Sequence, residues 1–140
     1  MAYSVFKGPV ELPCPVLVEG AAGDIYLPGN LVVRNGSDLD VGVAATTGQL
    51  LIAKEMGPGV GGRISTAFAV GDPVLAYNAR QGLRFDVRVA TAQALVKDET
   101  LLERGAAGRL VVLDTGVAVA VAKQTVTTTA NDQMVEVEIL

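Results

Sequence analysis

From Ile25 to the last residue the chain is a succession of short apolar runs, each cut off by turn-forming residues, and this rhythm limits what it can fold into. Ile25-Tyr26-Leu27 gives way to Pro28-Gly29-Asn30, and Leu31-Val32-Val33 to Asn35-Gly36-Ser37-Asp38. Val41–Ala45 stops at Thr46-Thr47-Gly48, Leu50–Ala53 runs into a glycine-rich stretch from Gly57, and Ile64–Val70 ends at Gly71-Asp72-Pro73. Val74–Tyr77, Leu83–Val89, Ala92–Val96, Leu110–Leu113, Val117–Ala122, Thr125–Thr129 and Met134–Ile139 continue the series. Runs of this length, rich in β-branched residues and separated by Gly, Pro, Asn and Asp, predict an all-β sandwich or barrel. At the end, Val135, Val137 and Ile139 alternate with Glu136 and Glu138, the period of a strand with one apolar face. The best helical stretch, Asp98–Arg104 before Gly105, fits one or two helical turns as well as it fits a loop. No second domain, linker or internal repeat is legible.

The first 18 residues read differently. Pro9, Pro13 and Pro15 each remove a backbone donor and fix φ, so residues 1–18 are expected to form an extended arm ahead of a β domain spanning 19–140. Cys14, between two prolines, reads as a small buried hydrophobe. The prolines interrupt any apolar core a signal peptide would need. Leu110–Ala122, broken by Asp114-Thr115-Gly116, is too short to span a bilayer. No membrane partner is expected.

Composition then removes classes of chemistry. The chain has no His, no Trp and one Cys, so it supplies no His base, no His metal ligand, no intrachain disulfide and no cysteine cage. No cofactor and no metal are expected. Half of the residues are hydrophobic but only 4% are aromatic, which leaves few rings for stacking bases or sugars. The net charge of -4 and the scatter of basic residues argue against nucleic acid, since a phosphate-binding surface needs a basic face. The densest group, Arg80, Arg84 and Arg88, is interrupted by Asp86 and reads as a solvated strand face.

Three motifs imitate functional signatures. Val111-Val112-Leu113-Asp114-Thr115-Gly116 resembles the active-site sequence of dimeric retroviral-type aspartic proteases, whose paired Asp residues share a proton. Too little chain follows Asp114 for the flap and second apolar-Gly motif of that family, so a turn is the better reading. Gly57-Pro58-Gly59-Val60-Gly61-Gly62 fits a dinucleotide fingerprint by letter, but a strand-like run follows it where a helix is required. Asn35-Gly36-Ser37 reads as a hairpin turn rather than a glycosylation site. No carboxylate pair stands out as an acid/base couple, and no catalytic residue is assigned.

Taken together, Leu27-Pro28-Gly29-Asn30-Leu31-Val32-Val33, Val70-Gly71-Asp72-Pro73-Val74-Leu75-Ala76-Tyr77, Gly108–Val112 and the closing Val135–Leu140 strand resemble the capsid decoration (cement, head-stabilising) proteins of tailed bacteriophages. The resemblance implies a single β-sandwich or jelly-roll-like domain with at most one short helix. It implies a structural virion protein, made in the bacterial host cytoplasm, that binds the outer surface of the shell and bridges neighbouring major capsid protein subunits. The implied partners are the major capsid protein and further copies of the chain, a homodimer being favoured over a homotrimer because self-complementary two-fold patches are commonest. The candidate contact residues are Tyr3, Phe6, Val10, Leu12 and Val16 on the arm, Pro58, Val60 and Arg63 on the glycine-rich loop, and Arg80 and Arg84 beyond Tyr77. The principal alternative is a β-sandwich binding module of a tail fibre or adhesin, recognising carbohydrate or a receptor. The protease reading through Asp114 is the minor one.

Overall fold

The computed structural model describes residues 5–8, 16–56 and 65–140. The chain is all-β, as the alternating pattern predicts. Its strands in order are β1 (Phe6–Gly8), β2 (Leu17–Ala22), β3 (Leu31–Asn35), β4 (Asp38–Val41), β5 (Leu51–Ala53), β6 (Pro73–Asn78), β7 (Arg84–Val89), β8 (Ala94–Leu95), β9 (Leu101–Arg104), β10 (Leu110–Val112), β11 (Ala120–Ala122), β12 (Val126–Thr127) and β13 (Gln133–Ile139). Among the described residues a single 3-10 turn lies at Ala106–Gly108. Two expectations are corrected. Leu17 and Val18, read as the end of the arm, open β2. The stretch considered for a helix is a turn leading into β9, because Leu102 is buried between less buried neighbours, the period of a strand.

Strands β2, β4, β3, β5 and β6 close into a five-stranded barrel in that order. Strands β7, β10, β9, β11 and β13 follow the same order, and β13 pairs back with β7 to close a second circuit. The two units match strand by strand. In each, the first strand runs parallel to the third and every other pairing is antiparallel. Registers match too. Leu17 opposite Tyr77 corresponds to Arg84 opposite Glu138, Ala22 opposite Leu39 to Val89 opposite Leu110, and Arg34 opposite Leu39 to Arg104 opposite Leu110. Val32 opposite Leu51 corresponds to Leu102 opposite Ala120, and Ala53 opposite Ala76 to Ala122 opposite Val137. Flanking bonds recur: Gly42 N–H to the Leu31 carbonyl answers Leu113 N–H to that of Leu101, both at 2.9 Å. The Tyr26–Phe68 bridge of the first unit takes the place of the β8–β12 pair in the second.

The chain is therefore a tandem structural repeat, although no internal repeat is legible in its sequence. Equivalent positions retain a few identities, among them Leu31 and Leu101, Leu39 and Leu110, Ala53 and Ala122, Lys54 and Lys123, Val74 and Val135. Elsewhere each barrel needs only apolar side chains of suitable volume at alternate positions, and many combinations meet that need.

Two clusters fill the molecule. Tyr26, Val32, Leu39, Leu51, Phe68 and Val74 pack inside the first barrel, where the Tyr26 hydroxyl donates to the Leu39 carbonyl at 2.7 Å. The larger cluster joins the units. Leu31, Ile52 and Tyr77 lie side by side across β3, β5 and β6, and they pack with Phe85, Val87, Val135 and Val137 of the second unit. The Tyr77 ring is 5.4 Å from that of Phe85 and 5.9 Å from that of Phe6. Each such fully buried side chain stabilises the fold by roughly 1.5–3 kcal/mol through apolar burial.

A polar seam fixes the join. Arg88 on β7 donates Nε–H to the Pro28 carbonyl at 2.8 Å and Nη1–H to that of Asp132 at 2.9 Å. Asn30 donates to the Gly108 carbonyl, while Gly108 N–H donates to the Gly42 carbonyl at 2.7 Å. Gly108 has φ +70°, and a Cβ there would lie 2.7 Å from the Leu31 carbonyl oxygen. Only glycine meets both the conformation and the approach.

Candidate functional site

Among the sequence-derived contact residues, Tyr3, Val10, Leu12, Pro58, Val60 and Arg63 lie outside the described residues. Phe6, Arg80 and Arg84 come together. β1 lies antiparallel on β7 with Phe6 opposite Phe85 and Gly8 opposite Arg84, and the Arg80 carbonyl accepts the Leu83 N–H in the adjoining turn. The Phe6 ring is spent internally, against Tyr77 and Phe85. Arg80 is exposed, and exposed Arg84 sits 3.4 Å from the Glu138 carboxylate and 4.0 Å from that of Glu136. Lys7, Gly82, Arg84 and Glu138 line a shallow depression here. Val16 stands apart, half-exposed at the start of β2.

Lys7 reaches the Asp86 carboxylate at 3.4 Å. Burial pushes the Asp86 carboxyl above the usual carboxylate range, and the Lys7 charge opposes that shift. The pair thus ties exposed Lys7 of β1 to buried Asp86 of β7, beside the bond from Asp86 N–H to the Val5 carbonyl at 2.7 Å.

A second surface went unnoticed in the sequence. The β4–β5 loop of the first unit and its counterpart, the β10–β11 loop of the second, flank a cleft of about 390 Å³ lined by Ala44, Thr46, Gly48, Glu103, Arg104 and Val117 among others. Arg104 holds the first loop, donating to the Thr46 carbonyl at 2.6 Å and the Gly48 carbonyl at 2.8 Å. Glu103 holds the second. Its carboxylate accepts Asp114 N–H at 2.7 Å and Gly116 N–H at 2.9 Å, and these bonds lower its pKa. Asp114-Thr115-Gly116 is thus an exposed bend tethered by its backbone, in keeping with the turn reading. The signal that would have found the cleft is the echo of Thr47-Gly48 in Thr115-Gly116, each just ahead of an apolar strand ending in Ala-Lys.

The charged groups of the cleft are engaged in holding main chain, and its rim carries exposed Ala44 and Ala45 and Val117, which is 79% exposed. Such a surface can accept an apolar side chain and a few hydrogen bonds. Among the described residues no cluster of three or more His, Cys, Asp or Glu is placed to hold a metal ion. No known family model matches the sequence, and no curated protein is significantly similar to it.

Proposed function

We propose that this chain is a non-enzymatic structural protein that binds the outer surface of a phage-type capsid, bridges neighbouring major capsid protein subunits and stabilises the shell. One observation carries the reading: the body offers two separate exposed apolar surfaces. One is the cleft rim of Ala44, Ala45 and Val117. The other flanks the Tyr26–Phe68 bridge, where Ile25 is 72% and Val70 68% exposed. Exposed apolar groups gathered in this way mark contact sites. Two contact sites on one body allow bridging, in which the second contact forms at high effective concentration. A protein that binds only the assembled shell stabilises it by mass action.

The test is to strip shells of the protein and add it back. Wild-type protein is expected to bind and to raise the temperature at which the shells fall apart. Paired Ala45→Asp and Val117→Asp substitutions are expected to weaken binding by about tenfold or more, as charge is driven into a desolvated contact. Shells that neither bind the wild-type protein nor gain heat resistance would refute the proposal.

A further inference from the structure

The repeat reveals a difference at one strand edge. In both units the first strand gives alternate residues to its antiparallel partner: Asn78 N–H bonds the Val16 carbonyl, and Ile139 N–H bonds that of Leu83. This alternation turns the main-chain groups of Leu17 and Glu19 in β2, and of Arg84 and Asp86 in β7, towards the opposite edge. On β7 that edge is occupied by β1, which accepts the Asp86 N–H at Val5 and sets Lys7 over the Asp86 carboxylate. Asp86 is consequently only 6% exposed.

Among the described residues, no strand lies on the equivalent edge of β2. β4 meets β2 only at Ala21 and Ala22. Among the described residues nothing accepts the N–H of Leu17 or Glu19 along this edge. Leu17 is 43% exposed, and Glu19, the counterpart of Asp86, is exposed as well. The Glu19 carbonyl accepts a bond from the Arg34 side chain, Nη2 donating at 2.8 Å from the surface.

We propose that the Val16–Glu19 edge of β2 accepts one extended segment of a partner protein by strand addition. The chemistry of that segment mirrors Val5-Phe6-Lys7: main chain for the ladder, an apolar side chain, and a basic head to meet Glu19. The same molecule shows what such a segment looks like when seated, and an acid stands at the matching position of both edges. A second copy's β1 is already committed to its own β7. Pairing two β2 edges would bring Glu19 near its own copy, a like-charge contact that disfavours this alternative. The inference rests on the capsid reading only for who supplies the strand, namely the shell subunit.

The probe is a blocked synthetic peptide, Ser-Val-Phe-Lys-Gly, titrated into the full chain while backbone amide resonances are followed. Saturable shifts centred on Leu17 and Glu19, with a Kd of about 1 mM or tighter, are expected. Glu19→Pro removes the outward donor and leaves the ladder to β6 intact, since an edge strand tolerates proline where its N–H faces out. That variant, and Glu19→Lys, are expected to weaken binding by about tenfold, and a peptide with Glu in place of Lys is expected to recover binding to Glu19→Lys. Shifts confined to β7, equal affinity for the variants, or no saturable shift would overturn the edge. Stripped shells separate the two proposals. If Glu19→Lys binds shells as well as wild type does, the edge inference fails and the capsid reading stands. If the peptide seats on β2 but wild-type protein ignores shells, the reverse holds.

Discussion

The two units share one backbone plan and differ in what they show on it. In the first, Leu31, Ile52 and Tyr77 form an in-register row that is buried against the second unit. The same row in the second unit is Leu101, Val121 and Glu138, and it is not buried: Leu101 is exposed, and Glu138 is paired with Arg84 near solvent. A repeated fold thus has one half whose row is hydrophobic because the other half covers it, and one half whose equivalent row carries a charge. The replacement of Tyr77 by Glu138 at a matched position suits the solvent that this face meets, since a face with no packed neighbour keeps polar groups.

The sharpest way to break this comparison is to make equivalent truncations. Ile52→Ala removes fully buried volume at the join and is expected to cost about 2–5 kcal/mol, whereas Val121→Ala, at the matched position, is expected to cost about 1 kcal/mol or less. Denaturant unfolding of the two variants measures the difference. Equal losses would mean that the two rows are equally important and that the distinction between a covered and an uncovered row is wrong.

The same asymmetry explains which parts of the fold were legible in the sequence. The strands whose apolar positions alternate without interruption were plain: β13 buries Val135, Val137 and Ile139 as its spacing requires, β5, β7 and β10 fall within the expected runs, and β3 and β6 contain theirs but extend into residues read as turns, Asn35 and Pro73. β9 was obscured because Leu101 and Leu102 are adjacent, one facing out where the first unit turns its counterpart inward. The doubling itself was hidden because the matched positions are held by main-chain hydrogen bonds, which any residue except proline can make. The cleft was invisible for a related reason. Its walls are two loops brought side by side by Arg104 and Glu103, residues whose partners are backbone groups distant in sequence or around a turn.

A second contrast lies in the turns that link each second and third strand. Gly36 and Gly108 both have positive φ, +64° and +70°, yet a Cβ on Gly36 meets nothing within 4 Å while one on Gly108 runs into the Leu31 carbonyl and Val41. Gly36→Ala therefore bears only the conformational cost, about 1–2 kcal/mol, and Gly108→Ala is expected to cost clearly more, because the seam must open to accept it. Thermal unfolding of the pair decides the matter. A Gly108→Ala variant no less stable than Gly36→Ala would show that the turn at Ala106–Gly108 is not clamped against the first unit.

The smallest expected effect probes the charge at the seam. Arg109 donates to both oxygens of Asp132, at 2.9 and 3.1 Å, and Asn30 of the first unit adds a bond to the same carboxylate. The Arg109 hydrogen bonds, foremost, hold the Asp132 carboxyl below the usual carboxylate range. A carboxyl depressed in the folded state binds its proton less readily there than in the unfolded chain, where its pKa is ~3.9. Its contribution is therefore complete at neutral pH and is lost as pH falls from that value through the folded one. Asp132→Asn removes the titration and leaves the Arg88 bond to the backbone carbonyl of residue 132 in place. The variant is expected to be less stable than wild type at pH 7, and the gap is expected to close on acidification below about 4. Because the group is partly solvated, the gap at pH 7 is modest, and its closure rather than its size is the informative quantity. A gap that stays constant from pH 7 to the acid limit of folding would mean that the Asn30–Asp132–Arg109 contact is held by packing alone, and that the join between the units owes nothing to its charge.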